Sequence, residues 1–139
     1  MAKELQIRRG TTQANDLFIG KEGELSMDTT TKGLRVHDGQ TAGGFKIDTV
    51  VDFQVATSSN NNTWYRKYSS GWVEQGGVAA QGTVVLPITM LDSTYTVVTA
   101  CMGSGANPGA HVANRTTTSF SMGNGSGWQM SWEVKGMAA

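Results

Sequence analysis

"WQMSWEVK", residues 128–135, decides the fold class. Apolar Trp128, Met130, Trp132 and Val134 alternate with polar Gln129, Ser131, Glu133 and Lys135. Successive side chains of a strand point to opposite faces, so period two gathers the four apolar residues on one side. A helix would scatter them around its axis. The stretch predicts a half-buried antiparallel strand with one wet face.

Similar short runs lie upstream of it, separated by Gly, Asn, Ser and Thr clusters. Strands are expected over 63–68, 72–75, 83–89, 95–102, 110–116 and 119–122. "SSG" at 69–71 has the chemistry of a hairpin turn. Pro87 cannot donate to a ladder, which sends the 83–89 strand to an edge or a bulge. Residues 103–109 and 123–127 are Gly-rich and read as loop tips.

Further toward the N-terminus, strands are expected near 4–8, 24–28 and 34–37. Val51, Phe53 and Val55 alternate with Asp52 and Gln54, another strand signal. "SSNNNT" at 58–63 reads as a loop. The best helix candidate, 11–18, is short, and no long i, i+3, i+4, i+7 pattern exists. The chain is therefore expected to be all-β.

Charge divides it. Residues 1–52 carry seven Lys/Arg and eight Asp/Glu, while 53–139 carry four and three along with all four tryptophans. This predicts two units, 1–52 and 53–139.

The formal net charge is zero, so no basic field gathers nucleic acid. The single Cys101 rules out an internal disulfide, and no Cys/His spacing suits zinc. Cys101 itself, in an apolar run, reads as a buried inert thiol. The opening "MAKELQIRRG" is too charged for a signal peptide. No run of about eighteen apolar residues suggests membrane insertion. Hydrophobic residues make up only 38 %. An all-β chain with a modest core and many strand edges is expected to assemble with copies of itself.

His37-Asp38 invites a chemical reading. Adjacent residues of a strand face opposite ways, so the two do not chelate one ion. Asp38-Gly39 is instead a turn signal. One metal arrangement stays open, three His37 copies meeting on a threefold axis; otherwise no metal or cofactor is expected. Glu74, Asp92 and Glu133 are the only carboxylates of the second unit, and nothing pairs them, so no enzyme and no catalytic residue is expected. No phosphate-binding glycine motif occurs.

Binding is the better prospect. "TWYRKY" places Trp64, Arg66 and Tyr68 on one strand face and Tyr65 and Lys67 on the other. One of these faces is core. An exposed aromatic-plus-Arg face would suit stacking on sugar rings or bases. The polar loop residues Asn107, His111, Asn114, Arg115 and Asn124 can hydrogen-bond hydroxyl groups from a rigid β scaffold. These eight residues are the candidate receptor contacts.

Two stretches resemble bacteriophage tail-fibre proteins. Residues 5–45 carry RRGT, then F-x-G-x-x-GE, then D-T, then LRVHDG-x-T-x-GG. This pattern is similar to the N-terminal module of the major tropism determinant family. The resemblance implies an intertwined, β-prism-like homotrimeric stem. "WYRKYSSGWVEQGG" at 64–77 resembles the opening of C-terminal fibre-tip domains, which implies a trimeric antiparallel β-sandwich knob.

The resemblance implies a virion tail-fibre or receptor-binding protein, made in the host bacterial cytoplasm. Its partners would be other tail or fibre proteins and a bacterial surface receptor, either a glycan or an outer-membrane protein. Attachment would be non-catalytic and multivalent. The alternatives are a purely structural fibre cap or connector and, further off, a depolymerase.

Overall fold

A computed structural model describes residues 7–103 and 109–139. It is all-β in its regular structure apart from one short α-helix and one 3-10 turn. Two compact units are present. One runs to Val51 and takes in Tyr68–Ser70; the other comprises Asp52–Lys67 and Gly71–Ala139.

The first unit begins with β1 (Arg8–Gly10) and α1 (Thr12–Asp16), followed by β2 (Leu25–Asp28), β3 (Leu34–Val36) and β4 (Phe45–Ile47). Its sheet has the order β1-β2-β3-β4. The β1–β2 pair is parallel, with Arg8 beside Ser26, and the other two pairs are antiparallel. Thr11 caps α1 by accepting from the Ala14 amide at 3.3 Å, which explains why the weak 11–18 signal yields one helical turn. The expected strand over 4–8 lies largely outside the described residues; the observed strand starts at Arg8. β4 was not expected from sequence, because Phe45 and Ile47 flank Lys46 in too short a run to read.

This unit is built inside out. Its fully buried residues include Asn15, Ser26, Asp28, Arg35 and His37. Along β2, Ser26 and Asp28 point inward while Leu25 is exposed and Met27 half-exposed. Along β3, Arg35 points inward between half-exposed Leu34 and Val36. The interior is held by polar pairing, as buried charges require. Arg35 donates to Asp28 Oδ2 at 3.0 Å, to Asp16 Oδ1 at 2.7 Å and to the Gly43 carbonyl at 3.1 Å. Asp28 Oδ1 also accepts from Thr12 Oγ1 and from the Thr30 and Thr31 amides. Asn15 Nδ2 donates to the carbonyls of Gly10, Thr11 and Met27, tying α1 to β1 and β2.

The second unit continues with β5 (Val50–Gln54), which starts in the first, then a 3-10 turn (Ser58–Asn60), β6 (Thr63–Tyr68), β7 (Trp72–Ala79), β8 (Gly82–Val85), β9 (Thr96–Met102), β10 (Ala110–Ala113), β11 (Ser119–Asn124) and β12 (Gln129–Met137). One sheet has the order β5-β6-β7-β12-β9 and the other β10-β11-β8. The two form a sandwich around Val84, Met90, Tyr95, Phe120, Met122, Met130, Trp132 and Val134. Phe120 meets Trp132 edge to face, with ring centroids 5.7 Å apart.

β12 is the stretch on which the fold reading rests. Met130, Trp132 and Val134 are buried, as alternation requires, and Trp128 packs half-buried against Gly103 just before the strand. Trp132 sits opposite Gly77, where a Cβ would lie 3.2 Å from its indole. Buried Gln75 stitches the segment after β8 to β7: its Nε2 donates to the Ile88 carbonyl and its Oε1 accepts from the Ile88 amide, both at 2.9 Å. β8 stops at Val85, two residues before Pro87, and occupies a sheet edge. The 123–127 loop tip is corrected in part, since Gly123 and Asn124 belong to β11 and are buried. Among the described residues no helix is long and apolar enough to cross a membrane.

Candidate functional site

The five-stranded sheet has an outer face turned away from its core. The register shows which residues share it. Thr63, Tyr65 and Lys67 stand opposite Gly77, Gln75 and Val73, and the last two of these are fully buried. Trp64 and Arg66 therefore take the outer face, opposite Gly76 and Glu74, and alternation places Tyr68 with them. Trp64 and Tyr68 are half-buried and Arg66 is exposed.

Gly76 explains how Trp64 lies. A Cβ there would come within 2.8 Å of the indole Cε2 and Cζ2, so the ring rests against bare backbone. A hollow of about 550 Å³ opens beside it, walled by Val78, Val98, Ala100, Ser131 and Glu133. A second hollow of about 530 Å³ lies along Phe53, Val55 and Arg66. The two hollows share Trp64 and Ala56. Phe53 is 66 % exposed. Its neighbours turn the other way: Asp52 accepts from the Tyr65 hydroxyl, and Gln54 donates to Thr63.

The charges on this face are unequal in their partnering. Lys135 Nζ stands 3.0 Å from Glu133 Oε1 and 3.6 Å from Glu74 Oε1. The hydrogen bond with Glu133 is the main reason its ammonium is held above the usual lysine range. The sheet thus brings together two carboxylates that looked unpaired in sequence, across one shared cation. The Arg66 side chain has no ion pair or hydrogen-bond partner among the described residues.

The polar candidates lie elsewhere, around the three-stranded sheet. His111 is exposed and its imidazole lies over Gly123, where a Cβ would approach Cε1 to 2.6 Å. Asn114 is exposed in a left-handed conformation (φ 50°), with Nδ2 3.5 Å from Ser121 Oγ. Arg115 donates to the Tyr95 carbonyl at 2.8 Å. Asn124 departs from the expectation of a solvent-facing contact. It is buried, its Oδ1 accepts from the Ser126 and Trp128 amides, and its Nδ2 donates to the Trp128 carbonyl, so it builds the turn. Asn107 lies outside the described residues. The seven described candidates therefore form no single constellation. Trp64, Arg66 and Tyr68 share one sheet, while His111, Asn114 and Arg115 accompany another.

The sequence reading missed Phe53, Val78, Val98 and Glu133 as walls of the hollows. Only the pairing of distant strands collects them. The Gly76-Gly77 pair inside a strand was the one local signal of a close approach there.

His37 and Asp38 do separate work. His37 is buried in the first unit, with Nδ1 3.3 Å from the Gly20 amide and Nε2 2.8 Å from Ser26 Oγ. Since Nδ1 accepts, the ring proton sits on Nε2 and is donated to Ser26. Both ring nitrogens are engaged inside one unit, which removes the axial meeting of three His37 copies. Asp38 is half-buried and accepts from the Thr41 and Gln40 amides and the Thr41 hydroxyl, which hold its pKa down to about 2. No group of three or more potential metal ligands occurs among the described residues.

Residues 5–41 match the family described as the major tropism determinant N-terminal domain. A tail fiber receptor-binding protein of Bordetella phage BPP-1 is 43 % identical over 47 residues. That match covers 34 % of this chain and 12 % of the relative, so the chain spans only a small part of that protein's length. Among solved structures, a major tropism determinant P3c variant shares 31 % identity over 45 % of this chain and 20 % of its own, at a TM-score of 0.30. A C-terminal piece of a P. aeruginosa R2 pyocin fiber shares 16 % identity over 63 % of this chain and 26 % of its own, at a TM-score of 0.47. The resemblance read in residues 5–45 is thus found by independent comparison.

Proposed function

We propose that this chain is a tail-fibre protein of a phage virion, made in the host bacterial cytoplasm. As a homotrimer it attaches the particle to a bacterial surface receptor, a glycan or an outer-membrane protein. The residues up to 52 serve as the trimerising stem that docks to other tail proteins, and residues 53–139 serve as the receptor-binding tip. Binding is multivalent and breaks no bond; three equivalent weak sites gain avidity through effective concentration.

One observation carries this reading. The stretch matching a phage family lies in the unit that has its polar residues inside and its apolar residues outside. Leu17, Ile19, Leu25, Phe45 and Ile47 are all exposed, with Leu17 at 79 %. A unit that leaves its hydrophobic residues uncovered fits a module completed by further copies. The adjoining β5 presents Val50, Val51 and Phe53 along a strand every residue of which but Gln54 is exposed, and such an edge suits pairing with another chain.

Light scattering and an adsorption assay test the two halves of the proposal. The expected solution mass is three times the 14.8 kDa of one chain. A monomer mass would overturn the stem assignment. Purified protein is expected to bind host cells and to compete with phage adsorption. A trimer that binds no cells at any concentration would leave a structural connector. Product release from host polysaccharide that Glu133→Gln abolishes would overturn the non-catalytic reading.

A further inference from the structure

The outer face of the five-stranded sheet combines features rarely needed by a surface that only covers a core. The Trp64 indole lies against Gly76, in space that any side chain there would fill. A hollow opens on either side of it, each large enough for a sugar ring. Arg66 stands two residues along the same strand face, exposed and without a described partner. The nearby Lys135 is neutralised by Glu133 and Glu74, so Arg66 is the cation left to meet a ligand. Ser131 and Glu133 supply a hydroxyl and a carboxylate at the wall of the larger hollow.

We propose that this face binds an acidic oligosaccharide laid across Trp64. The argument rests on the attachment reading and names the ligand class of its receptor. The apolar C–H face of a pyranose stacks on the indole, which a planar aromatic ring suits. The sugar's anionic group, a uronate carboxylate or a phosphate ester, pairs with the Arg66 guanidinium, whose fork matches either oxyanion. Glu133 and Ser131 accept from ring hydroxyls in the neighbouring hollow. Two hollows flanking one platform accommodate an extended chain of at least two sugars, with the charged one on the Arg66 side.

Calorimetry at low salt on the full chain tests this with three probes: tetragalacturonate, a mannopentaose phosphate and neutral maltotetraose. At least one acidic probe is expected to bind about tenfold more tightly than maltotetraose, the worth of a charge-assisted hydrogen bond. The stronger of the two acidic probes identifies carboxylate or phosphate as the recognised group. Arg66→Gln, an exposed substitution that leaves the fold intact, is expected to erase the preference for acid while sparing the neutral sugar. Trp64→Phe is expected to weaken all binding and Trp64→Ala to abolish it. Acidic binding unchanged in Arg66→Gln, or no acidic probe bound at millimolar concentration, would overturn the proposal. So would a drop in solution mass on Trp64→Ala, because a second copy of the chain would then occupy the face. Wild-type protein that adsorbs to cells yet binds no probe would remove this inference and leave attachment standing; probe binding without cell adsorption would do the reverse.

Discussion

Arg35 and Asp28 meet at 3.0 Å with each side chain only 2 % exposed, at the centre of the first unit. Desolvation disfavours the Asp28 carboxylate, but the Thr31 amide, Arg35, the Thr12 hydroxyl and the Thr30 amide outweigh it and hold its pKa at about 2. A β module this small has put a charge pair where most folds put leucine and valine.

Removing either partner takes the buried counter-charge from the other, leaving Arg35 with Asp16 and the Gly43 carbonyl or Asp28 with its hydroxyl and amide donors, at a cost of about 3 kcal/mol. Asp28→Ala is expected to cost more than Arg35→Met, because Asp28 also satisfies Thr12, Thr30 and Thr31. Urea unfolding of the two variants checks the order. Equal midpoints for Asp28→Ala and wild type would show that the pair does not hold the unit.

Acid stability follows from the same carboxylate. Its folded pKa of about 2 lies below the ordinary 3.8, so the unfolded chain binds the proton first. The stabilisation is complete above the unfolded value and is lost as pH falls from about 4 toward 2. The shift corresponds to roughly 2 kcal/mol. Melting curves between pH 5 and 2 should therefore show a fall that Asp28→Asn flattens. The same slope in that variant would assign the acid sensitivity to other groups.

Gly20 and Gly44 bracket His37. A Cβ at Gly20 would come within 2.6 Å of the imidazole Cγ. At Gly44 it would meet the Val36 carbonyl at 2.6 Å, on backbone already at φ 57°. Gly20→Ala is expected to destabilise by about 1–3 kcal/mol, as overpacking does. Nitrogen NMR should find the His37 proton on Nε2 in wild type. A proton on Nδ1 would contradict the Gly20 and Ser26 hydrogen bonds.

Gln75 carries a comparable duty in the sandwich. Replacing it by Leu keeps the volume but leaves the Ile88 amide and carbonyl without their partner. The expected loss is about 1–3 kcal/mol, measured by thermal or urea unfolding. An unchanged midpoint would mean that water replaces the side chain at no cost.

Strand alternation was legible in sequence, and so were most turns. "WQMSWEVK" announced its strand, its buried face and its wet face, because period two is a property of the local backbone. The Ser-Ser-Gly hairpin and the Asp38-Gly39 turn were equally local. Asn124 was misread as a loop contact because nothing in "GNGSG" tells a capping amide from a solvent-facing one. The candidate face was half legible. Trp64, Arg66 and Tyr68 share a strand, whereas Phe53, Val98 and Glu133 reach it only through the order β5-β6-β7-β12-β9.

The deepest division concerns which way each strand faces. The sequence by itself determined that Ser26 and Asp28 alternate with Leu25 and Met27, and that Arg35 and His37 alternate with Leu34 and Val36. It did not determine that the polar set points inward. That choice belongs to the tertiary structure, because Asp16, Thr12, Gly20 and Gly43 supply the partners that make burial of those groups tolerable. Alternation is a two-residue property of one chain segment, while burial depends on what distant segments bring to either side.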